Sequence, residues 1–184
     1  MRKVIILSIL MLVCKAGQAQ FDLSINPISI LFSSLDLSGE YGIIEDVGLE
    51  ASLGYDFGKY DLGDVTVKNN GVGIRLIGKY YFKPRRSISR WNLGPYIKYA
   101  TRTGSYDDGV DAGNLTNTRF AVGLYTGYKW VSRRNIVFEL GFGIGRAFLN
   151  KYTTDNDSIN LDDVPGFNVD LTGKLGLGYR FGSK

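Results

Sequence analysis

The chain has 184 residues, with 22 Lys and Arg against 18 Asp and Glu, 24 Gly, 12 Tyr, 10 Phe, one Cys and no His. Without histidine it lacks the usual general base near neutral pH, and with one cysteine it cannot form an internal disulfide. Setting aside the N-terminal Arg2, Lys3 and Lys15 takes 22 bases to 19 against 18 acids, so the remainder is nearly neutral and makes no electrostatic case for a nucleic-acid partner.

Residues 1–19 read as an export signal. Arg2 and Lys3 form a basic start, Val4 to Val13 is an apolar run broken only by Ser8, and Gly17-Gln18-Ala19 supplies the small residues a signal peptidase reads. Cleavage is predicted after Ala19, giving a single mature domain over 20–184. Cys14 is expected to leave with the signal rather than carry a lipid, because Val13 stands where a lipoprotein signal needs a small residue and Lys15 follows.

Beyond the signal, seven stretches alternate apolar residues with polar residues or glycine. Period two is a strand with a different solvent on each face. Their length, roughly the 9–11 residues that cross a hydrocarbon layer, exceeds the 5–6 of a typical soluble strand. A less regular first strand is read over Asp22 to Phe32, with a bulge or bend at Pro27, which cannot donate to a ladder.

The second strand, Leu35 to Ile44, turns Asp36 and Glu40 inward; the tight turn Glu45-Asp46 leads to the third, Val47 to Phe57, with Glu50 and Asp56 inward. A polar loop over 58–70 precedes the fourth strand, Gly71 to Phe82. That strand sets Val72, Ile74 and Leu76 outward against Arg75 and Lys79. After the basic turn Lys83 to Arg90 comes the fifth, Trp91 to Arg102, with Lys98 and Arg102 inward. The loop 103–117 is followed by the sixth, Thr118 to Val131, with Arg119 and Lys129 inward, and the seventh, Ile136 to Phe148, with Glu139 inward. The longest loop, 149–166, leads to the last strand, Phe167 to Phe181, with Asp170, Lys174 and Arg180 inward.

Connections after the first hairpin alternate short and long, as in barrels with short periplasmic turns and long external loops. An even strand number puts every long loop on one side, so the weak first strand is counted. The reading is an all-β, eight-stranded antiparallel up-and-down transmembrane β-barrel. A soluble lipocalin-like binder would place its apolar residues inside, the reverse of this pattern.

Two segments carry a family resemblance. Ser24-Ile25-Asn26-Pro27 through Leu37-Ser38-Gly39-Glu40-Tyr41-Gly42-Ile43 resembles the opening of the small outer-membrane β-barrel domains of Gram-negative envelopes, OmpA-like and PorT-like barrels. Leu175-Gly176-Leu177-Gly178-Tyr179-Arg180-Phe181, followed here by Gly182-Ser183-Lys184, resembles the C-terminal strand that the barrel-assembly machinery recognises. The resemblance implies residence in the outer membrane, with its lipid and lipopolysaccharide as surroundings and that machinery as a partner in biogenesis. Barrels of this kind that are lipid A-modifying enzymes, phospholipases or proteases rely on a histidine, which is missing here.

Three features are candidates for function. The inward charges Glu40, Glu50, Asp56, Arg75, Lys79, Lys98, Arg102, Arg119, Lys129, Glu139, Asp170, Lys174 and Arg180 would form a lumenal network. An eight-stranded barrel is barely wide enough for its own side chains, so these charges are expected to pair as a plug, with Glu40, Glu50 or Glu139 set against Arg75, Arg102 or Arg119. The excess of bases over acids leaves room for a water file or a bound anion. The loop carboxylates Asp107, Asp108, Asp111, Asp155, Asp157, Asp162 and Asp163 lack EF-hand spacing and are read as solvated, with no metal. Trp91, Tyr99, Tyr128, Trp130, Tyr179 and Phe181 are expected to form girdles at the membrane interfaces. The expected function is structural or adhesive, without catalysis or cofactor; the alternative is a narrow porin-like pore or a transport or secretion component.

Overall fold

In the structure, a computed structural model that describes residues 20–31, 33–62, 65–107, 112–154, 158–160 and 168–182, the alternating segments are staves of one closed antiparallel ring. Chain order is β1 (Phe21–Ile25), α1 (Pro27–Leu31), β2 (Ser34–Ile44), β3 (Val47–Asp56), β4 (Lys59–Leu62), β5 (Val65–Tyr81), β6 (Arg90–Asp107), β7 (Ala112–Val131), β8 (Ile136–Thr154), β9 (Ser158–Asn160) and β10 (Val169–Phe181). β10 pairs with both β8 and β1, so β1, β2, β3, β5, β6, β7, β8 and β10 make eight staves without a free end. β4 and β9 only extend the neighbouring hairpins, against β5 and β8. Closure satisfies the inter-strand hydrogen bonds that hydrocarbon could not.

Faces follow the period. Outward Leu53, Val72, Leu124 and Ile144 are each more than half exposed, while inward Glu50, Lys79, Tyr96, Tyr125 and Glu139 are buried. Such a wide exposed apolar surface is the signature of a lipid-facing wall. Space is tight where a large inward ring lies over the adjacent stave and where two neighbouring backbones approach closely. A methyl added at Gly141 would lie 1.8 Å from the Tyr125 hydroxyl, and one at Gly94 would lie 1.6 Å from the Gly78 carbonyl oxygen. Both glycines are required for space.

The first strand departs from the sequence reading. β1 stops at Ile25 instead of running to Phe32, and Pro27 opens a helix rather than bending a strand. Its fixed φ and missing N–H suit a first helical position. Asn26 bridges the break: its N–H donates to Asp36 O at 2.9 Å, and its Oδ1 accepts from the Leu175 N–H at 3.2 Å. β1 therefore pairs only with Leu177–Phe181 of β10 and Leu37–Tyr41 of β2. Beyond those pairs, among the described residues, the edges of β10 and β2 have no strand between them, and α1 lies in the resulting notch.

The long loops are also shorter than read. β5, β6, β7 and β8 contain 17, 18, 20 and 19 residues, well past what a bilayer requires. Thr103, Ser105, Asn114 and Thr116 continue the ladder between β6 and β7. Once both faces meet water, a strand need not alternate, so these polar residues resemble a loop. Of the loop carboxylates, Asp107 ends β6, and Asp108, Asp111, Asp155, Asp157, Asp162 and Asp163 lie outside the described residues.

Candidate functional site

The lumen is filled at its middle by ion pairs. Lys79 Nζ, donated by β5, reaches Glu40 at 2.9 Å, Glu139 at 2.6 Å and Glu50. Lys174 Nζ reaches Glu50 at 2.6 Å and Glu139 at 3.0 Å, and Lys129 Nζ reaches Glu40 at 2.6 Å and Asp22 at 2.9 Å. Arg180 grips Asp22 with two parallel bonds, Nε to Oδ1 at 2.6 Å and Nη2 to Oδ2 at 2.7 Å. The Tyr81 hydroxyl donates to Glu40 at 2.6 Å and that of Tyr125 to Glu139 at 3.1 Å. The cluster holds four carboxylates and four cations, and it is neutral. This is the arrangement that offsets the several kcal/mol of desolvation each buried ion costs. Glu40, Glu50 and Glu139 converge closely enough to suggest a metal site, but Lys79 Nζ bonds to all three and takes the place of a cation.

Below this cluster the β5–β6 turn folds inward. Ile88 is fully buried and packs against the Gly42 backbone, while Arg180 donates to Ile88 O at 2.8 Å and Arg86 O at 2.5 Å. The turn reaches this position through left-handed residues at Lys83, Ser87 and Arg90, with φ of 47°, 49° and 81°. Such backbone is retained where its surroundings over-determine it.

Above the cluster is a second, looser set. Asp170 accepts from Lys98 at 3.0 Å and from the Tyr96 hydroxyl at 2.8 Å, with Arg119 at 3.5 Å. Arg102 pairs with Asp56 at 2.5 Å near the rim, where the Arg102 side chain is half exposed. Arg75 lies 3.6 Å from Asp36 and donates to Thr172 Oγ1 and, at 3.3 Å, to Ser52 Oγ. Asp36, Asp56, Arg75, Lys98, Arg102 and Thr172 of this set line a chamber of about 480 Å³.

The structure corrects the expected pairing. Glu40, Glu50 and Glu139 face Lys79, Lys129 and Lys174, whereas Arg75, Arg102 and Arg119 face aspartates. Of two further acids, Asp22 was missed, and Asp36 was read as inward but left out of the network. Asp22 and Asp36 are on the inward parity of β1 and β2, and their signal was an acid flanked by apolar neighbours, Phe21 and Leu23 or Leu35 and Leu37. With them, the eight bases face seven acids, and most of the expected excess disappears.

Of the aromatics, Trp91, Tyr128, Trp130, Tyr179 and Phe181 gather at the short-turn end. Ring centroids lie 6.3 Å apart for Trp91–Tyr128, 4.4 Å for Tyr128–Trp130 and 5.0 Å for Tyr179–Phe181. Tyr99 is set apart from them, beside Phe120 and Ile74 on the loop side. Trp130 also packs 5.4 Å from Phe138. Trp130→Leu is expected to cost about 1 kcal/mol in urea titrations of the bilayer-inserted protein, as aromatic pairs of this kind do. A neutral result would remove the belt from the energetics.

Comparison with solved structures finds the same architecture in one protein and a weaker likeness to another. A major outer membrane protein from Thermus thermophilus superposes with a TM-score of 0.57 at 16% identity, covering 89% of this chain and 99% of that one. Neisserial surface protein A aligns at a TM-score of 0.42 and 16% identity, covering 88% and 94%. No curated protein matches the sequence. A family model matches residues 4–163, most of the chain, and on that match the chain belongs to the family described as protein of unknown function, DUF3575.

Proposed function

We propose that the protein is an integral outer-membrane barrel with a structural or adhesive role in the envelope and no catalytic activity, exported by removal of residues 1–19. The observation that carries this reading is the obstructed lumen: a neutral cluster of eight charges across the middle and Ile88 beneath it. A channel needs a continuous water path, and this lumen is occupied by its own side chains. The outward apolar wall supports the lipid environment, with lipopolysaccharide as a neighbour, and the resemblance of Leu175 to Phe181 to the terminal strand recognised in assembly supports handling by the barrel-assembly machinery.

Planar-bilayer recording tests the reading directly. Purified protein is expected to give no stable conductance steps; reproducible open channels would transfer the assignment to the narrow pore or transport component. In envelope fractionation the chain should resist carbonate and urea washing, and release into the soluble fraction would overturn the membrane assignment itself.

A further inference from the structure

We propose that the notch between β10 and β2 is a lateral binding site for a membrane amphiphile with an anionic head group, the head in the upper chamber and the acyl chain passing out through the wall. The inference rests on the reading of the chain as a membrane-inserted barrel. Three observations carry it.

First, the wall is incomplete where the chamber lies. β1 ends at its Ile25 pairing with Leu177 and Leu37, so the interior above Asn26 borders the lipid side past α1 rather than past a stave. The chamber is lined both by inward groups and by Ile28, Leu171 and Leu175, which lie on the apolar outer side. A continuous lining from charged to apolar matches a molecule built the same way.

Second, Arg75 stands directly behind the opening. Its guanidinium bonds to Thr172 on the β10 edge and lies 3.6 Å from Asp36 on the β2 edge, so it bridges the two sides of the notch from within. The residue is 7% exposed, and its Nε has no hydrogen-bond partner among the described residues. A buried guanidinium with an unused donor, faced by a carboxylate beyond hydrogen-bond length, is suited to a phosphate oxygen.

Third, charge is unevenly divided along the axis. The lower cluster is neutral, whereas the upper set opposes Arg75, Lys98, Arg102 and Arg119 with Asp36, Asp56 and Asp170. Among the described residues the excess positive charge of the lumen therefore lies in this upper set, of which Arg75, Lys98 and Arg102 line the chamber that the notch opens, and an anionic head group there would offset it.

Dodecyl phosphate, titrated against the folded barrel in a neutral detergent and followed by native mass spectrometry, is the probe. A single saturable adduct is expected, with inorganic phosphate binding at least tenfold more weakly. Arg75→Gln should reduce dodecyl phosphate binding tenfold or more. Gly173 points outward at the notch, and a side chain begun there meets nothing within 4 Å, so Gly173→Trp can be accommodated. It should obstruct the acyl path and weaken dodecyl phosphate while leaving inorganic phosphate unchanged. Equal binding of the two probes by the parent protein would overturn the proposal in favour of a free-anion site open to the rim, and absence of binding would overturn it outright. Only samples whose gel migration changes on boiling are scored. Failure to obtain that folded form counts against the barrel reading, and failure to bind in its presence counts against the amphiphile site.

Discussion

Lys79→Met should lower the stability of the bilayer-inserted barrel by about 3–5 kcal/mol, the range for removing one partner of a buried ion pair. The side chain is completely buried, its Nζ bonds to Glu40, Glu50 and Glu139, and methionine of similar volume leaves those carboxylates facing one another. Lys174 and Lys129 remain, but each already serves two acids. Urea titrations in lipid vesicles supply the measurement. Adding Glu50→Gln should recover part of the loss, because it removes one of the stranded charges, and the recovery measures their coupling. Arg134→Gln, in the exposed turn, should change stability by no more than about 0.5 kcal/mol. A loss for Lys79→Met no larger than that of Arg134→Gln would mean that water solvates the carboxylates, and the obstructed lumen would be lost as an argument against conduction.

Leu76→Arg should impair insertion far more than Arg75→Leu, although the two positions are adjacent. Leu76 points outward from the middle of β5, where an arginine costs roughly 2–4 kcal/mol at the depth of the bilayer centre. Arg75→Leu gives up bonds to Thr172 and Ser52 and leaves Asp36 without its nearest cation, yet puts no charge into lipid. Folding titrations into vesicles of defined composition compare the two. The reverse order would mean that the strand presents its other face to the membrane, since a shift of one residue exchanges every side chain between wall and lumen.

These contrasts show what the sequence makes legible. Period two assigns faces well wherever the two sides meet different solvents, and in β5 Val72, Ile74 and Leu76 could be separated from Arg75 and Lys79 without a structure. The number of staves came from parity of the connections. Three things escaped. The end of β1 depends on Pro27 serving as a helix start; its fixed φ and missing N–H suit that position as well as a bulge, so the residue alone does not choose between them. The upper reaches of β6, β7 and β8 leave the apolar layer, where hydrophobic contrast ceases and a strand resembles a loop. The identity of each ion-pair partner depends on height and azimuth inside the ring. Lys79 meets Glu139 across 60 residues of chain and Lys174 meets Glu50 across 124, relations that no spacing rule encodes.

The short β1 has a consequence for how the ring is made. Every other contact between neighbouring staves joins segments consecutive in sequence, so hairpins can form locally and add one after another. The seam is different: Asp22 and Arg180, which clasp across it, are 158 residues apart. The entropy of closing such a loop must be met before the seam returns any bonding. Closure then relies on a five-residue strand, the Asn26 bridge to Leu175 and one bidentate pair. Assembly should therefore proceed quickly to an open, curled sheet and wait there, with the chain's two ends meeting last. The same seam is where the finished ring would first begin to open.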